Sequence, residues 1–196
     1  MSTVHSSLLS SVFAGRVVWI SGHTGFKGAW MVQWLHDLGA QVHGFSLVPE
    51  DTPSLFGQLG LAERINHRIG DLRDPAAVRQ SILAAQPDFV FHLGAQALVR
   101  RSFDEPAATY MTNVLGTIHV LEALRELRKA CAAVFITTDK CFENREWLYG
   151  YREEDPLGGH DPYSSSKAAA EIAIASWRRC FSVAIRFGLP APGQGT

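Results

Sequence analysis

Apolar runs of strand length alternate along this chain with segments of helical period, and that alternation constrains the fold more than any single residue does. The runs are "RVVWIS" (16–21), "QVHGFSL" (41–47), "HRIGD" (67–71), "FVFHLGA" (89–95), "AAVFITT" (132–138) and "FSVAIRF" (181–187). Helical periodicity falls between them at 26–38, 75–85, 105–129 and 162–179. This is the pattern of βαβ units, whose strands pair in parallel beneath crossover helices. The expected fold class is α/β, a doubly wound parallel sheet with its ligand at the carboxyl ends of the strands. Residues 16–188 are expected to form the folded domain, after a flexible N-terminus at 1–15. "GLPAPGQGT", rich in turn formers, leaves 189–196 as a tail.

Charge and cysteine usage narrow the function. The net charge is -1 and no block of like charges occurs, so neither a nucleic-acid surface nor a polybasic membrane patch is expected. Cys131, Cys141 and Cys180 show no CxxC spacing and are odd in number, which points to a reducing compartment. The N-terminus lacks a basic n-region and no apolar stretch approaches a membrane span, so a cytoplasmic protein acting on small molecules is expected.

Three motifs carry the chemistry. In "SGHTGFKGAW", Gly22, Gly25 and Gly28 recur at three-residue intervals between the first strand and a helix. In that context the first glycine permits a tight turn, the second lets the backbone approach a pyrophosphate, and the third packs helix on sheet. The acid that usually holds the adenosine ribose is replaced by Val48, with Glu50 and Asp51 just beyond. Asp71 can accept a hydrogen bond from an adenine amino group or cap the helix at 75, a role that suits Asp74 better. In "DPYSSSKAAAEIA", Asp161 and Pro162 start a helix on which Tyr163 and Lys167 lie one turn apart. An ammonium beside a phenol stabilises the phenolate and brings tyrosine toward the range of a general base. In "TTDKC", Asp139 and Lys140 stand together where a strand ends, either as an exposed ion pair or as part of a site. Trp30 and Trp34 are expected to pack on the sheet. His92 suits either a place near a cofactor or a hydrogen-bonded structural role.

With these residues in place, the chain resembles the extended short-chain dehydrogenase/reductase superfamily, and within it the nucleotide-sugar 4,6-dehydratases of the CDP-glucose branch. The matching pieces are "GHTGFKGAW", "TPSLF", "GDLRD", "FHLGAQALVRRSF", "TNVLGT", "TTDKCFENREWLYGYRE" and "GGHDPYSSSKAAAE", in order from about residue 16 to 176. The resemblance implies a Rossmann-like domain and NAD as cofactor. Gly22, Thr24, Gly25, Phe26, Lys27, Gly28, Asp71, Leu72, Ala95 and Gln96, together with Tyr163 and Lys167, would contact it. It implies that Tyr163 takes the proton of the sugar 4-hydroxyl, with Thr138 hydrogen-bonding that hydroxyl and Lys167 lowering the tyrosine pKa. Asp139 would be the acid and Lys140 the base of an elimination of water across carbons 5 and 6. Family members usually carry an acid pair there, so Lys140 marks the branch. The implied substrate is CDP-glucose. Helices at 105–129 and 162–179 resemble the pair that forms a homodimer contact in the family. Family chains continue past the second of these helices into a substrate lobe, which is expected to be largely missing here.

Overall fold

The computed structural model describes residues 2–50 and 52–181. Its centre is a five-stranded parallel sheet of β1 (Val17–Ser21), β2 (Gln41–Ser46), β3 (Asn66–Ile69), β4 (Phe89–His92) and β5 (Ala132–Phe135). The spatial order is β3-β2-β1-β4-β5, every pairing parallel. The chain winds one way from β1 to β3 and the other way from β4 to β5. The switch point therefore lies between β1 and β4, where Ser21 pairs with His92 in register.

Alternation within β1 divides the core. Trp19 points to one face, among Phe45, Val78, Ile82, Val120 and Leu124, beneath α4 (Pro75–Ala85) and α7 (Gly116–Arg125). Val18 and Ile20 point to the other, among Ala29, Val32, Leu35 and Val42, beneath α2 (Phe26–Asp37). Two packed layers on one sheet are the arrangement that the strand and helix alternation demands.

Several expectations change at the level of elements. Ser2–Phe13, expected as a flexible N-terminus, forms helix α1, whose Phe13 ring sits 5.0 Å from Phe89. The residues spanning 105–129 form not one uniform helix but α6 (Pro106–Tyr110), a π turn (Met111–Leu115) and α7. A short α5 (Val99–Asp104) precedes them, and α3 (Leu55–Gln58), capped by Ser54, follows β2. Trp30 and Trp34 do not pack on the sheet. They are 53% and 51% exposed, because the buried face of α2 is Gly28, Ala29, Val32 and Leu35, and the tryptophans lie off that stripe. Phe181 is the last residue of α8 (Pro162–Phe181), and the remainder of the expected sixth strand lies outside the described residues.

Candidate active site

The carboxyl end of β1 is built by close backbone approaches. Gly22 has φ +73°, and a Cβ there would lie 2.8 Å from the Gly94 backbone, across the switch point. A Cβ on Gly28 would lie 2.0 Å from the Gly22 carbonyl oxygen, so the first turn of α2 rests directly on the β1 turn. Gly25 is different: its added Cβ would meet nothing closer than 3.4 Å, and as N-cap it offers no side chain to the first-turn amides of α2. Those amides have no intrahelical acceptor and mark a site for an anionic group. Phe26 is 72% exposed, and Lys27 is exposed and lines a surface depression with Trp30 and Trp34.

Two side chains of the turn reach into the sheet instead. The Thr24 hydroxyl donates to the Leu47 carbonyl at 2.9 Å, so in its 2.8 Å contact with Ser46 it is the acceptor. Thr24 thus pins the turn to the end of β2. His23 is fully buried, its Nε2 2.7 Å from His67 Nδ1 and its ring edge-on to Phe56. Gly44 makes room for it, since a Cβ there would come within 2.5 Å of the imidazole. Burial, then the neighbouring His67, push the His23 pKa down to about 4, partly offset by the Phe45 carbonyl. Nothing in the sequence marks His23 as buried, because a histidine inside a glycine motif carries no periodicity that announces burial.

Beside the turn, the Asp71 carboxylate accepts the Arg73 amide at 2.9 Å and its guanidinium at 2.9 and 2.5 Å. Hydrogen bonding from Arg73 holds its pKa below the usual carboxylate value. Asp74 is the helix cap, accepting from the amides of Ala76 and Ala77. Leu72 is buried in the core and its carbonyl accepts from His119.

Past β4 the loop is fixed by a polar network. Thr117 donates to the Asn113 carbonyl, so His92 Nε2–H must donate to Thr117, and Ser21 donates to His92 Nδ1 at 2.7 Å. Ser21 in turn accepts the Gly94 amide. Every polar atom of His92 is satisfied, and burial, with the Lys167 charge second, brings its pKa down to about 3. It is the hydrogen-bonded structural histidine of the two expected roles. Ala95 and Gln96 follow. The Gln96 amide group folds back onto Leu98 and Thr109, and its backbone is bracketed by the buried Asn113, which accepts from Gln96 N–H and donates to Gln96 C=O. The second Asn113 proton goes to Ser166, which donates to the Tyr163 carbonyl. Asn113 therefore joins the β4 loop to α8. It stands in "TNVLGT", with no spacing signal of its own.

α8 carries the proposed acid–base pair. Asp161 caps it through the Ser164 amide and hydroxyl at 2.9 and 2.6 Å. Partial burial works against the Asp161 carboxylate, yet the Ser164 and Tyr163 hydrogen bonds and the Lys140 charge bring its pKa below the ordinary value. Tyr163 and Lys167 are both buried, 9% and 7% exposed. Lys167 Nζ donates to the Ile136 carbonyl at 3.1 Å, just past the end of β5, and burial lowers its pKa to about 8. From the same strand end, Thr138 caps a short 3-10 turn (Asp139–Cys141), accepting the Lys140 amide and donating to Asp139. That turn packs against α8. Asp139 and Lys140 are exposed, and the ion pair expected as their alternative does not form: Asp139 accepts the Thr138 hydroxyl, while the Lys140 charge acts on Asp161.

In the loop beyond, Phe142 stacks on Tyr151, and the Arg145 guanidinium lies over the Trp147 ring. Among the described residues no helix is long and apolar enough to cross a membrane, and no His, Cys, Asp and Glu cluster could hold a metal.

Known proteins share this fold. The profile of the family described as GDP-mannose 4,6 dehydratase matches residues 19–190. The chain is 47% identical, over 85% of its length, to a CDP-glucose 4,6-dehydratase of Salmonella typhimurium, and spans 46% of that protein. Among solved structures, UDP-glucose 4-epimerase of Thermus thermophilus in complex with NAD is similar at TM-score 0.70 and 26% identity, over 86% of this chain and 52% of that one. DesIV of Streptomyces venezuelae, a dTDP-glucose 4,6-dehydratase with NAD bound, shares the fold at TM-score 0.74 and 21% identity, over 87% of this chain and 54% of that one. The chain thus spans about half the length of these relatives. On the extent of the family match and the parallel sheet that carries it, the chain belongs to the GDP-mannose 4,6-dehydratase family.

Proposed function

We propose that this chain supplies the dinucleotide-binding and acid–base half of a nucleotide-sugar 4,6-dehydratase that uses NAD and acts on CDP-glucose. The observation that carries the reading is the placing of Tyr163 and Lys167, buried on α8 against the end of β5, on the same sheet whose β1 end bears the glycine turn. The 47% identity to a CDP-glucose 4,6-dehydratase favours CDP-glucose over other nucleotide sugars.

The residues present fit a dinucleotide. Gly25 leaves the first-turn amides of α2 open to a pyrophosphate, where Gly22 and Gly28 are already filled by backbone. Gly22, Gly25 and the amides of Phe26, Lys27 and Gly28 would hold the phosphates. Thr24 fixes their turn, Asp71 and Leu72 border the adenine side, and Ala95 and Gln96 border the nicotinamide side. When bound, NAD supplies reversible hydride acceptance.

The chain's own groups handle the protons. Tyr163, as phenolate, takes the proton of the 4-hydroxyl, which Thr138 orients. Lys167, as ammonium, stabilises the phenolate. Once carbon 4 is a ketone, the proton on carbon 5 is acidic enough for a positioned base, and Lys140 is that base when neutral. Asp139, protonated, gives its proton to the departing 6-hydroxyl, and the Thr138 contact holds its carboxyl in place. Both side chains are exposed here, so the protonation states they need depend on burial beneath the sugar. The product is the 4-keto-6-deoxy sugar nucleotide. Exposed Tyr110, Met111, Leu115 and Ile172 on the neighbouring helices α6 to α8 support a homodimer contact there.

Incubating the purified chain with NAD and, in turn, CDP-, dTDP-, UDP-glucose and GDP-mannose tests the reading. A 4-keto-6-deoxy product from CDP-glucose alone is expected. Bound NAD without product from any of them would reduce the chain to a nucleotide-binding unit.

A further inference from the structure

One carboxylate beside the site has no part in the chemistry above. Glu171 follows Lys167 by one turn on α8, as Lys167 follows Tyr163, so the three residues form a stripe along one helix face. It accepts a hydrogen bond from the Thr137 hydroxyl. The residue before, Ile136, gives its carbonyl to Lys167, and the residue after, Thr138, caps the turn of Asp139 and Lys140. Residues 136 and 137 are thus fastened to successive turns of α8, one through a backbone carbonyl and one through a side chain. This is where regular sheet pairing ends: β5 stops at Phe135, and one further bond, Ile136 N–H to the His92 carbonyl, is the last contact with β4.

We infer that Glu171 is a positioning residue: through Thr137 it fixes the end of β5 on α8 and so sets Thr138, Asp139 and Lys140 against Tyr163. A chain leaving a sheet has no ladder to hold it, and a two-point attachment to one helix removes the freedom to slide or rotate that a single bond would leave. The geometry asks for an acceptor at this position, and a carboxylate accepts the hydroxyl strongly. It also faces the Lys167 ammonium, whose charge it favours. The other titratable groups around Lys167 are Tyr163 on its own helix, His92 on β4, and Asp139, Lys140 and Cys141 on the turn after β5. His92 is held neutral by burial, and Glu171 is the carboxylate whose charge acts on that lysine.

The inference rests on the reading of Tyr163 and Lys167 as the acid–base pair. Its test uses the whole chain with Thr137→Val, Glu171→Ala and Glu171→Gln, read by amide hydrogen exchange of residues 136–142 and by NMR titration of Lys167. Thr137→Val and Glu171→Ala should raise exchange in that segment several-fold and leave β1 and α2 unchanged, whereas Glu171→Gln, still an acceptor, keeps the protection. The Lys167 midpoint should fall in both Glu171 variants and stay in place in Thr137→Val. Unchanged exchange in Thr137→Val, or equal loss of protection in Glu171→Gln and Glu171→Ala, overturns the inference. If Glu171→Ala unfolds, Thr137→Val and Glu171→Gln decide it. Absence of NAD binding would instead overturn the proposed function and leave both measurements readable.

Discussion

The β1 end and the β5 end of the sheet hold their functional residues by opposite means. At β1, Gly22, Gly28 and Gly94 bring backbone against backbone at separations no side chain could enter, and buried Thr24 and His23 lock the turn from within. At β5, exposed Asp139 and Lys140 sit on a one-turn helix held by side-chain hydrogen bonds from Thr137 and Thr138. A pyrophosphate needs a rigid cradle of amides, which backbone packing supplies. Groups that must gain and lose protons need an environment that changes when substrate covers them, and exposed side chains on a short turn allow that. Rigidity and adjustability are thus placed at different strand ends.

The comparison can be broken most decisively at Gly28. Replacing it with Ala forces a Cβ into the Gly22 carbonyl and should cost about 3 kcal/mol or more, with loss of NAD binding; denaturant unfolding and NADH fluorescence measure both. Next in size, Asp139→Asn and Lys140→Met should lower turnover by about 10²- to 10⁴-fold while stability moves by less than about 0.5 kcal/mol. A large loss of stability in either would mean that the β5 end is locked like the β1 end.

A third test uses pH. His23 and His92 are held neutral in the folded state, at about 4 and about 3, against 6.5 for a free imidazole. The unfolded chain therefore binds protons first, and stability should fall as pH drops from about 6.5 toward 4, by up to ~1.4 kcal/mol per pH unit for each histidine. His92→Asn should flatten part of that slope in acid-unfolding curves. Lys167 runs the other way at alkaline pH. Its folded pKa of about 8 lies below 10.5, so the unfolded chain holds the proton longer and stability should rise between those values, a rise that Lys167→Met removes. The smallest effect belongs to Trp30→Ser, expected within about 0.5 kcal/mol because the indole is half exposed, and thermal melts against Leu35→Ala would check it.

Much of this was legible in the chain. Five of the six apolar runs are strands of the parallel sheet, and the Tyr163 and Lys167 spacing foretold one helix face, because both signals are local and periodic. Trp30 and Trp34 were misread for the complementary reason: hydrophobicity marks a residue as buriable, but the rotation of α2 on the sheet is set by how closely Gly28 approaches Gly22. Asn113 and Glu171 were invisible. Each matters through partners far away in sequence, Gln96 and Ser166 for the one and Thr137 for the other.

By itself the sequence determined the fold class, the glycine turn, the two helix caps and the residue types available for proton transfer, since each follows from local propensity or periodicity. Only the tertiary structure decided which polar side chains face one another. It turned His92 into a structural hub, engaged Asp71 with Arg73 and seated Glu171 under the end of β5. The reason is physical: hydrogen-bond partners and burial are set by where strands and helices meet, and no spacing along the chain encodes those meetings directly.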